Sequence, residues 1–209
     1  GVVAYPAGDR LNPQITPERI TGRAEQEGSL KILFLGNVIP RKGLHVLMAA
    51  LNSFKLENWH LSVVGSLEFD RKYAHRIMQM VEDYNFEGHV VFHGVLDDKQ
   101  LGEIMLENHI LVVPSYHEGF GIAYLEGLGF GLPAIATTSG GASEFITHGV
   151  DGYLVPQEDV SLLAEYISGL IQDRELLIEM SLQARTRYLR HPTWEESMEQ
   201  VRTFLLENI

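Results

Sequence analysis

The chain has no cysteine among its 209 residues, so neither a disulfide framework nor a thiolate metal site is open to it. That absence suits a reducing compartment, and a cytoplasmic location is expected. Positive charge is scarce too: 16 Lys and Arg stand against 28 Asp and Glu, a net charge of -12. A protein that grips a nucleic-acid backbone needs a basic face, so no nucleic-acid partner is expected. A phosphate site is small enough to persist on an acidic protein. No apolar run reaches the length of a membrane span or a signal-peptide core. Hydrophobic residues make up 45%, enough for a core and too many for disorder, and the length suits one domain with appendages.

Two nucleotide fingerprints are missing as well. Neither G-x-G-x-x-G after the first apolar run nor G-x-x-x-x-G-K-[ST] occurs, and GNVIPRKG (36–43) has the wrong spacing for either. Dinucleotide dehydrogenases and P-loop ATPases are set aside on that ground.

What is present is alternation. Short apolar runs at 30–36, 59–65, 89–94, 109–114, 132–137 and 152–156 read as strands, several with few polar interruptions, as in parallel sheets covered on both faces. Between them lie helical patterns from Leu44 to Phe54, Arg71 to Tyr84, Lys99 to Glu107, Ile122 to Phe130 and Ser143 to Thr147. After Pro156 the pattern is helical throughout: Val160 to Gln172, Glu175 to Leu189 and Trp194 to Glu207. Asp70 and Asp97 are candidate N-caps. The expected fold is α/β, a Rossmann-like doubly wound parallel sheet flanked by helices, with ligands at the carboxyl ends of its strands. The opening GVVAYPAGDRLNP, which starts at Gly1 rather than Met, reads as a linker, and the chain is expected to be one domain of a longer protein.

The stretch PSYHEGFGIAYLEG (114–127) concentrates the chemistry. It ends an apolar run, passes a Gly-rich turn and opens a helix, with Glu118 and Glu126 bracketing the turn and the first helical residues. A Gly-rich turn that opens a helix exposes backbone N–H groups without intrahelical partners, which welcome an anion. Acids before and within that turn can accept from hydroxyls. Phosphates flanked by two sets of hydroxyls describe a nucleotide-activated sugar. Glycine-bearing strand–turn–helix corners are also common in α/β proteins at large, and two glutamates at this spacing are common on solvated surfaces.

Glu118, Gly119, Phe120, Gly121 and Glu126 match the E-x-F-G-x-x-x-x-E signature of retaining glycosyltransferases of the group 1 type (family 4), which have the GT-B fold. The resemblance extends along the chain. Gly36, Lys42 and Gly43 match the family's G-R-x-x-x-x-K-G loop, with Asn37 where the family has Arg, so an amide replaces a bidentate cation. Arg41 is placed to compensate or to face solvent. Val64, Gly65 and Ser66 partly match a Gly-rich loop beside the donor, and FHGVLDDKQL (92–101) resembles the segment whose backbone holds the nucleotide base. TSGGASEFITHGVDGYLVP (138–156) resembles the S-G-G-x-x-E stretch, with Ser143 in place of Pro before Glu144. Gly140 and Gly141 fit either a ligand's approach or a tight turn. His93 and His117 do not match the family's catalytic histidine, which lies in its other domain, and read as structural.

The resemblance implies the C-terminal, donor-binding half of a GT-B architecture. Residues 1–28 would be interdomain linker, 29–190 the nucleotide-sugar-binding domain, and 191–209 a helix crossing to the N-terminal domain, with Trp194 a packing anchor. The implied function is transfer of a hexose-type sugar with retention, in carbohydrate biosynthesis. Glu118 and Lys42 would be catalytic. Donor contacts would come from Gly36, Asn37, Lys42, Gly65, Val95, Leu96, Glu118, Gly119, Phe120, Gly121, Ile122, Ala123 and Glu126. Among these, Glu118 takes sugar hydroxyls, the N–H groups of Phe120 and Gly121 the sugar's other hydroxyls, those of Ile122 and Ala123 the diphosphate, and Glu126 the ribose. No metal and no cofactor are expected. The acceptor, a sugar, a lipid-linked or another molecule, would be bound mainly by the N-terminal domain, through which alone the protein would meet a membrane. Two other readings remain: a nucleotide-sugar-binding module without turnover, and a glycoside hydrolase using Glu118 and Glu126. The second needs the carboxylates to flank one bond.

Overall fold

The apolar runs become β1 (Leu30–Leu35), β2 (Trp59–Val64), β3 (Val90–Gly94), β4 (Ile110–Val113), β5 (Ala134–Thr137) and β6 (Gly152–Val155). This computed structural model describes residues 2–11, 13–53 and 58–208. Among the described residues the six strands form one parallel sheet, ordered β3-β2-β1-β4-β5-β6. Strands β4 and β5 are buried at every residue, and only Lys31 and Leu35 of β1 are partly exposed. Both faces of the middle strands are therefore covered, which accounts for their lack of polar alternation. The order reverses between β1 and β4, which pair directly through Ile32↔Ile110 and Leu33↔Leu111. That reversal leaves a crevice at the carboxyl ends of the two strands, where the loops after each one meet.

Helices α1 (Pro17–Ala24), α2 (Leu44–Ser53), α3 (Arg71–Asp83), α4 (Asp98–Glu107), α5 (Ile122–Gly129), α6 (Ala142–Phe145), α7 (Val160–Gln172), α8 (Arg174–Leu189) and α9 (Trp194–Glu207) complete the fold. Their starts follow local chemistry. Asp70 accepts from the Tyr73 N–H, Asp97 from the Gln100 N–H within a full capping box, and Asp159 and Asp173 cap α7 and α8 in the same way. Helix α5 packs on α8, and α1 packs on α8 as well. Among the described residues no helix is long and apolar enough to cross a membrane.

One difference from the sequence reading stands out. The stretch expected as linker carries α1, with Thr16 as its cap and Pro17 in its first turn. This helix buries only Ile20, Arg23 and Ala24, too few apolar residues to make a visible period. Trp194 is 45% exposed, and its backbone N–H donates to Asp9 at 3.2 Å. The helix expected to end at Phe54 is described to Ser53; Phe54 lies outside the described residues, as do Gly1 and Asn12 of the expected linker.

Candidate functional site

The loops after β1 and β4 meet at the crevice and bring Lys42 to Glu118. Pro40 opens a one-turn 3-10 helix (Pro40–Lys42) that ends at Gly43 with φ 72°. A Cβ there would lie 2.1 Å from the Pro114 carbonyl, so only glycine lets the loop touch the end of β4. The turn places Lys42 Nζ 2.7 Å from Glu118 Oε2, both side chains mostly buried. Ser115 Oγ donates to the same oxygen at 3.0 Å. Arg41 donates to the His117 carbonyl at 2.6 Å and lies 4.0 Å from Glu118 Oε2, so it does turn toward this loop.

The loop carrying Glu118 is braced from several directions. Tyr124 donates from beneath to the Val113 carbonyl at 2.7 Å, and Thr137 to the Ser115 carbonyl. The Tyr116 N–H donates to the Arg41 carbonyl at 2.8 Å, and Gln157 donates to the Tyr116 carbonyl and to Ser139. A polar chain runs behind it. The Tyr73 hydroxyl accepts from the His45 backbone N–H and lies 2.8 Å from His45 Nδ1. His45 Nε2 lies 3.3 Å from the Tyr116 hydroxyl, which donates to Glu158. Burial favours the neutral form of His45 by holding its pKa below the ordinary value.

Gly140 and Gly141 serve the same loop. A Cβ on Gly140 would meet the Glu118 carbonyl at 2.0 Å, and the Gly141 N–H donates to that carbonyl at 3.0 Å. Close backbone packing is thus one reason for both glycines. Glu144 is exposed in the first turn of α6, and its carbonyl accepts from Arg187.

Helix α5 begins directly after this loop. Its N-cap is Gly121, with φ 84° and no side-chain bond to the first N–H groups, which therefore have no intrahelical or capping partner. Ile122, at the mouth, is 40% exposed. Opposite it, Gly36 lies against the Lys42 stem, and Gly65 packs on the Gly36 carbonyl. Asn37 accepts from the Ser66 N–H at 3.1 Å through Oδ1, so the residue in the family's arginine position ties two loops together.

Glu126 lies on α5 and is 4% exposed. Arg10 Nε donates to Oε1 at 2.9 Å, and another Arg10 nitrogen lies 3.4 Å from Oε2. Arg10 also pairs with Asp98 at 2.9 Å, at the start of α4. Val95, 76% exposed, and the half-buried Leu96 lie just before that helix. Burial holds the Glu126 carboxyl above the ordinary carboxylate range, and the Arg10 hydrogen bond offsets part of that rise. The two glutamates thus sit in separate ion pairs, one with Lys42 and one with Arg10, an arrangement unlike a pair flanking one bond. His117 is exposed, and His93 leaves a buried Nε2 without a partner. Among the described residues no three His, Asp or Glu gather as a metal site.

Sequence reasoning missed Arg10, Ser115 and the His45 chain. Ser115 was adjacent to the motif, whereas Arg10 lies 116 positions from its partner in a stretch read as linker.

Comparison with known proteins defines the class. The family model described as "Glycosyl transferases group 1" matches residues 17–187, and the chain belongs to this family. Its fold is that of the Rossmann-like C-terminal domain of GT-B glycosyltransferases. An uncharacterized glycosyltransferase of Methanocaldococcus jannaschii is 31% identical over 144 residues, covering 69% of this chain and 39% of that protein. A glycosyltransferase of Rickettsia africae superposes with a TM-score of 0.82 at 21% identity, covering 98% of this chain and 55% of that one. A protein of Anabaena, solved in complex with UDP and glucose, gives 0.79 at 23% identity, covering 91% and 52%. The chain spans 39% of the Methanocaldococcus protein and about half of the other two.

Proposed function

We propose that the chain is the donor-binding domain of a retaining glycosyltransferase that takes a hexose-type sugar from a nucleoside diphosphate. The observation that carries the reading is the convergence of Lys42 and Glu118, 2.7 Å apart, beside the uncapped start of α5. A cation, a carboxylate and open N–H groups are the three things a sugar diphosphate needs. The Anabaena protein of similar fold, solved with UDP and glucose, supports the same assignment.

In this reading the donor's diphosphate takes Lys42 from Glu118 and lies against the N–H groups of Ile122 and Ala123. The Asn37 amide nitrogen adds a neutral donor where the family has a cation, and Arg41 supplies charge nearby. Glu118, released from Lys42 and still held by Ser115, accepts from the sugar hydroxyls while the Phe120 and Gly121 backbone takes others. Glu126 takes the ribose hydroxyls, and the backbone at Val95 and Leu96 frames the base. As the sugar leaves, negative charge grows on the diphosphate, and Lys42 with the helix start stabilises it more than it stabilised the bound donor. The acceptor attacks from the face the diphosphate departs, giving retention. The reading asks for no metal and no cofactor, and places the protein in the cytoplasm. The acceptor and the catalytic histidine belong to an N-terminal domain joined through the segment before α1 and contacted by α9. These 209 residues alone should then bind donor without transferring it.

A thermal-shift panel of UDP, GDP, ADP and their sugars tests the reading, since a ligand of the folded state raises stability by mass action. At a hundredfold excess over Kd the stabilisation is about 2.7 kcal/mol, several degrees in a domain this size. Absence of any shift at millimolar ligand, in a folded sample, would overturn the reading. Transfer by the isolated chain would overturn its division of labour.

A further inference from the structure

We propose that Arg10 is a positioning residue for the nucleoside end of the site: it holds the Glu126 carboxylate ionised and oriented so that its free lone pairs accept the two ribose hydroxyls. The proposal rests on the nucleotide-sugar reading above and adds a residue from outside the family's motif.

The geometry begins with Gly8. A Cβ on that residue would lie 2.9 Å from Leu125 Cγ and 3.1 Å from the Glu126 backbone nitrogen, so the N-terminal segment runs directly against α5 at the level of Glu126. The segment is held there by other elements. Tyr188 of α8 donates to the Gly8 carbonyl at 3.4 Å, Arg185 to that of Pro13 at 3.1 Å, and Ser197 of α9 to that of Tyr5 at 2.7 Å. The Trp194 N–H donates to Asp9 at 3.2 Å. Arg10 leaves this clamped segment and spans two carboxylates, Glu126 on α5 and Asp98 at the start of α4. Those two helix positions bound the space where the proposed function places ribose and base.

Charge explains why a cation is needed there. The groups facing the Glu126 carboxylate are Arg10 from the N-terminal segment, Asp98 from α4 and Tyr188 from α8. Arg10 is the one cation among them, and Asp98 disfavours a second negative charge. A carboxylate 4% exposed without a cation moves toward its protonated form. A protonated carboxyl offers one donor and less acceptor capacity, which a diol that donates twice does not match. Arg10 occupies one lone pair of Oε1 and approaches Oε2 at 3.4 Å, leaving acceptor capacity on both oxygens. Asp98 fixes the other end of the guanidinium, which keeps the fork in register.

The test uses this chain and calorimetric titration with UDP, GDP and ADP between pH 5.5 and 8.5. The tightest binder is then compared with its 2′,3′-dideoxy form. For the unmodified protein the ribose hydroxyls should improve Kd by about tenfold or more, with a ratio that is flat over this range. For Arg10→Gln the ratio should fall toward about one at the acidic end and recover as pH rises, because ionisation of an uncompensated carboxylate is lost as pH falls through its raised pKa. Arg10→Lys should restore the flat profile. Arg10 is half exposed, so these variants are expected to fold, and Arg10→Met serves as a second test of the same point. A variant that loses overall affinity while keeping the unmodified ratio at every pH would show a merely structural role and overturn the proposal. If the unmodified protein binds none of the three nucleotides, the nucleotide-sugar reading fails and this proposal with it. If it binds and discriminates while Arg10→Gln behaves identically, only the role of Arg10 fails.

Discussion

The two ends of α5 are built on opposite principles. At its start Gly121 gives no side-chain cap and the first N–H groups are left open beside Lys42 and Glu118. At its finish three successive carbonyls are claimed by arginines. Arg185 donates to Gly129 at 2.7 Å, and Arg23 donates to Phe130 at 3.1 Å and Gly131 at 2.7 Å. Arg23 is 5% exposed and has no carboxylate partner among the described residues; a further bond goes to Met105 near the end of α4. Burial pulls its pKa down to about 10, which still leaves it charged at neutral pH. The negative ends of two helices therefore take the place of a counter-ion. A helix of eight residues has little stability of its own, so sealing one end is what allows the other to stay unsatisfied until a ligand arrives.

The largest test of that division is Arg23→Met. It keeps the apolar stem but strands three carbonyls in a buried setting, at a net cost of about 3 kcal/mol. Chemical unfolding should report that loss, while the nucleotide Kd of the folded protein stays within about twofold. A large fall in affinity with little loss of stability would mean that the two ends are not separable.

Next in size is Gly121→Ala at the open end. With φ 84° a side chain is disfavoured, and the new Cβ would sit 2.8 Å from Tyr124 Cδ2. A stability loss of about 1–2 kcal/mol is expected from the backbone strain. Unlike the change at Arg23, this one should also weaken UDP-type binding by about tenfold, because the same backbone aims the N–H groups at the phosphates. Unchanged affinity in a folded variant would detach the helix start from the binding site.

How much of this was legible beforehand follows from the range of each interaction. The strands at Ile110 to Val113 and Ala134 to Thr137 declared themselves because burial on both faces removes polar residues. Asp70 and Asp97 were legible because capping is local, decided within three residues. Glu118 and Lys42 lie 76 positions apart, yet both could be placed because each sits at the end of a strand and opens a helix. The family pattern supplied the rest. Arg10 and Arg23 carried no such signal, since each acts across more than 80 positions on a carboxylate or a carbonyl that any residue pattern leaves unmarked. Asn37 was read as a lost cation; that its Oδ1 would bridge to Ser66 depends on how two loops meet, which local sequence does not encode.

Near neutral pH the smallest effect belongs to His109, which secures the closed end from below. Its Nδ1 accepts from the Lys31 N–H at 2.9 Å, so Nε2 carries the proton and donates to the Arg23 carbonyl at 3.1 Å. Protonation would put a second hydrogen on Nδ1, against a backbone N–H, with Arg174, Arg23 and Lys31 all nearby. Burial first, and those cations second, lower its pKa to about 3. Between that value and about 6.5 the unfolded chain binds a proton that the folded chain refuses, so stability falls as pH falls through this window. The contribution can reach about 1.4 kcal/mol per pH unit and is absent above about pH 7. Nitrogen-detected NMR should show His109 neutral, with the hydrogen on Nε2, down to pH 5, where exposed histidines are already charged. Unfolding midpoints should fall from pH 7 to 6 and further from 6 to 5. A His109 that titrates near 6.5 would show that the closed end admits water, and would remove the contrast with the open start of α5.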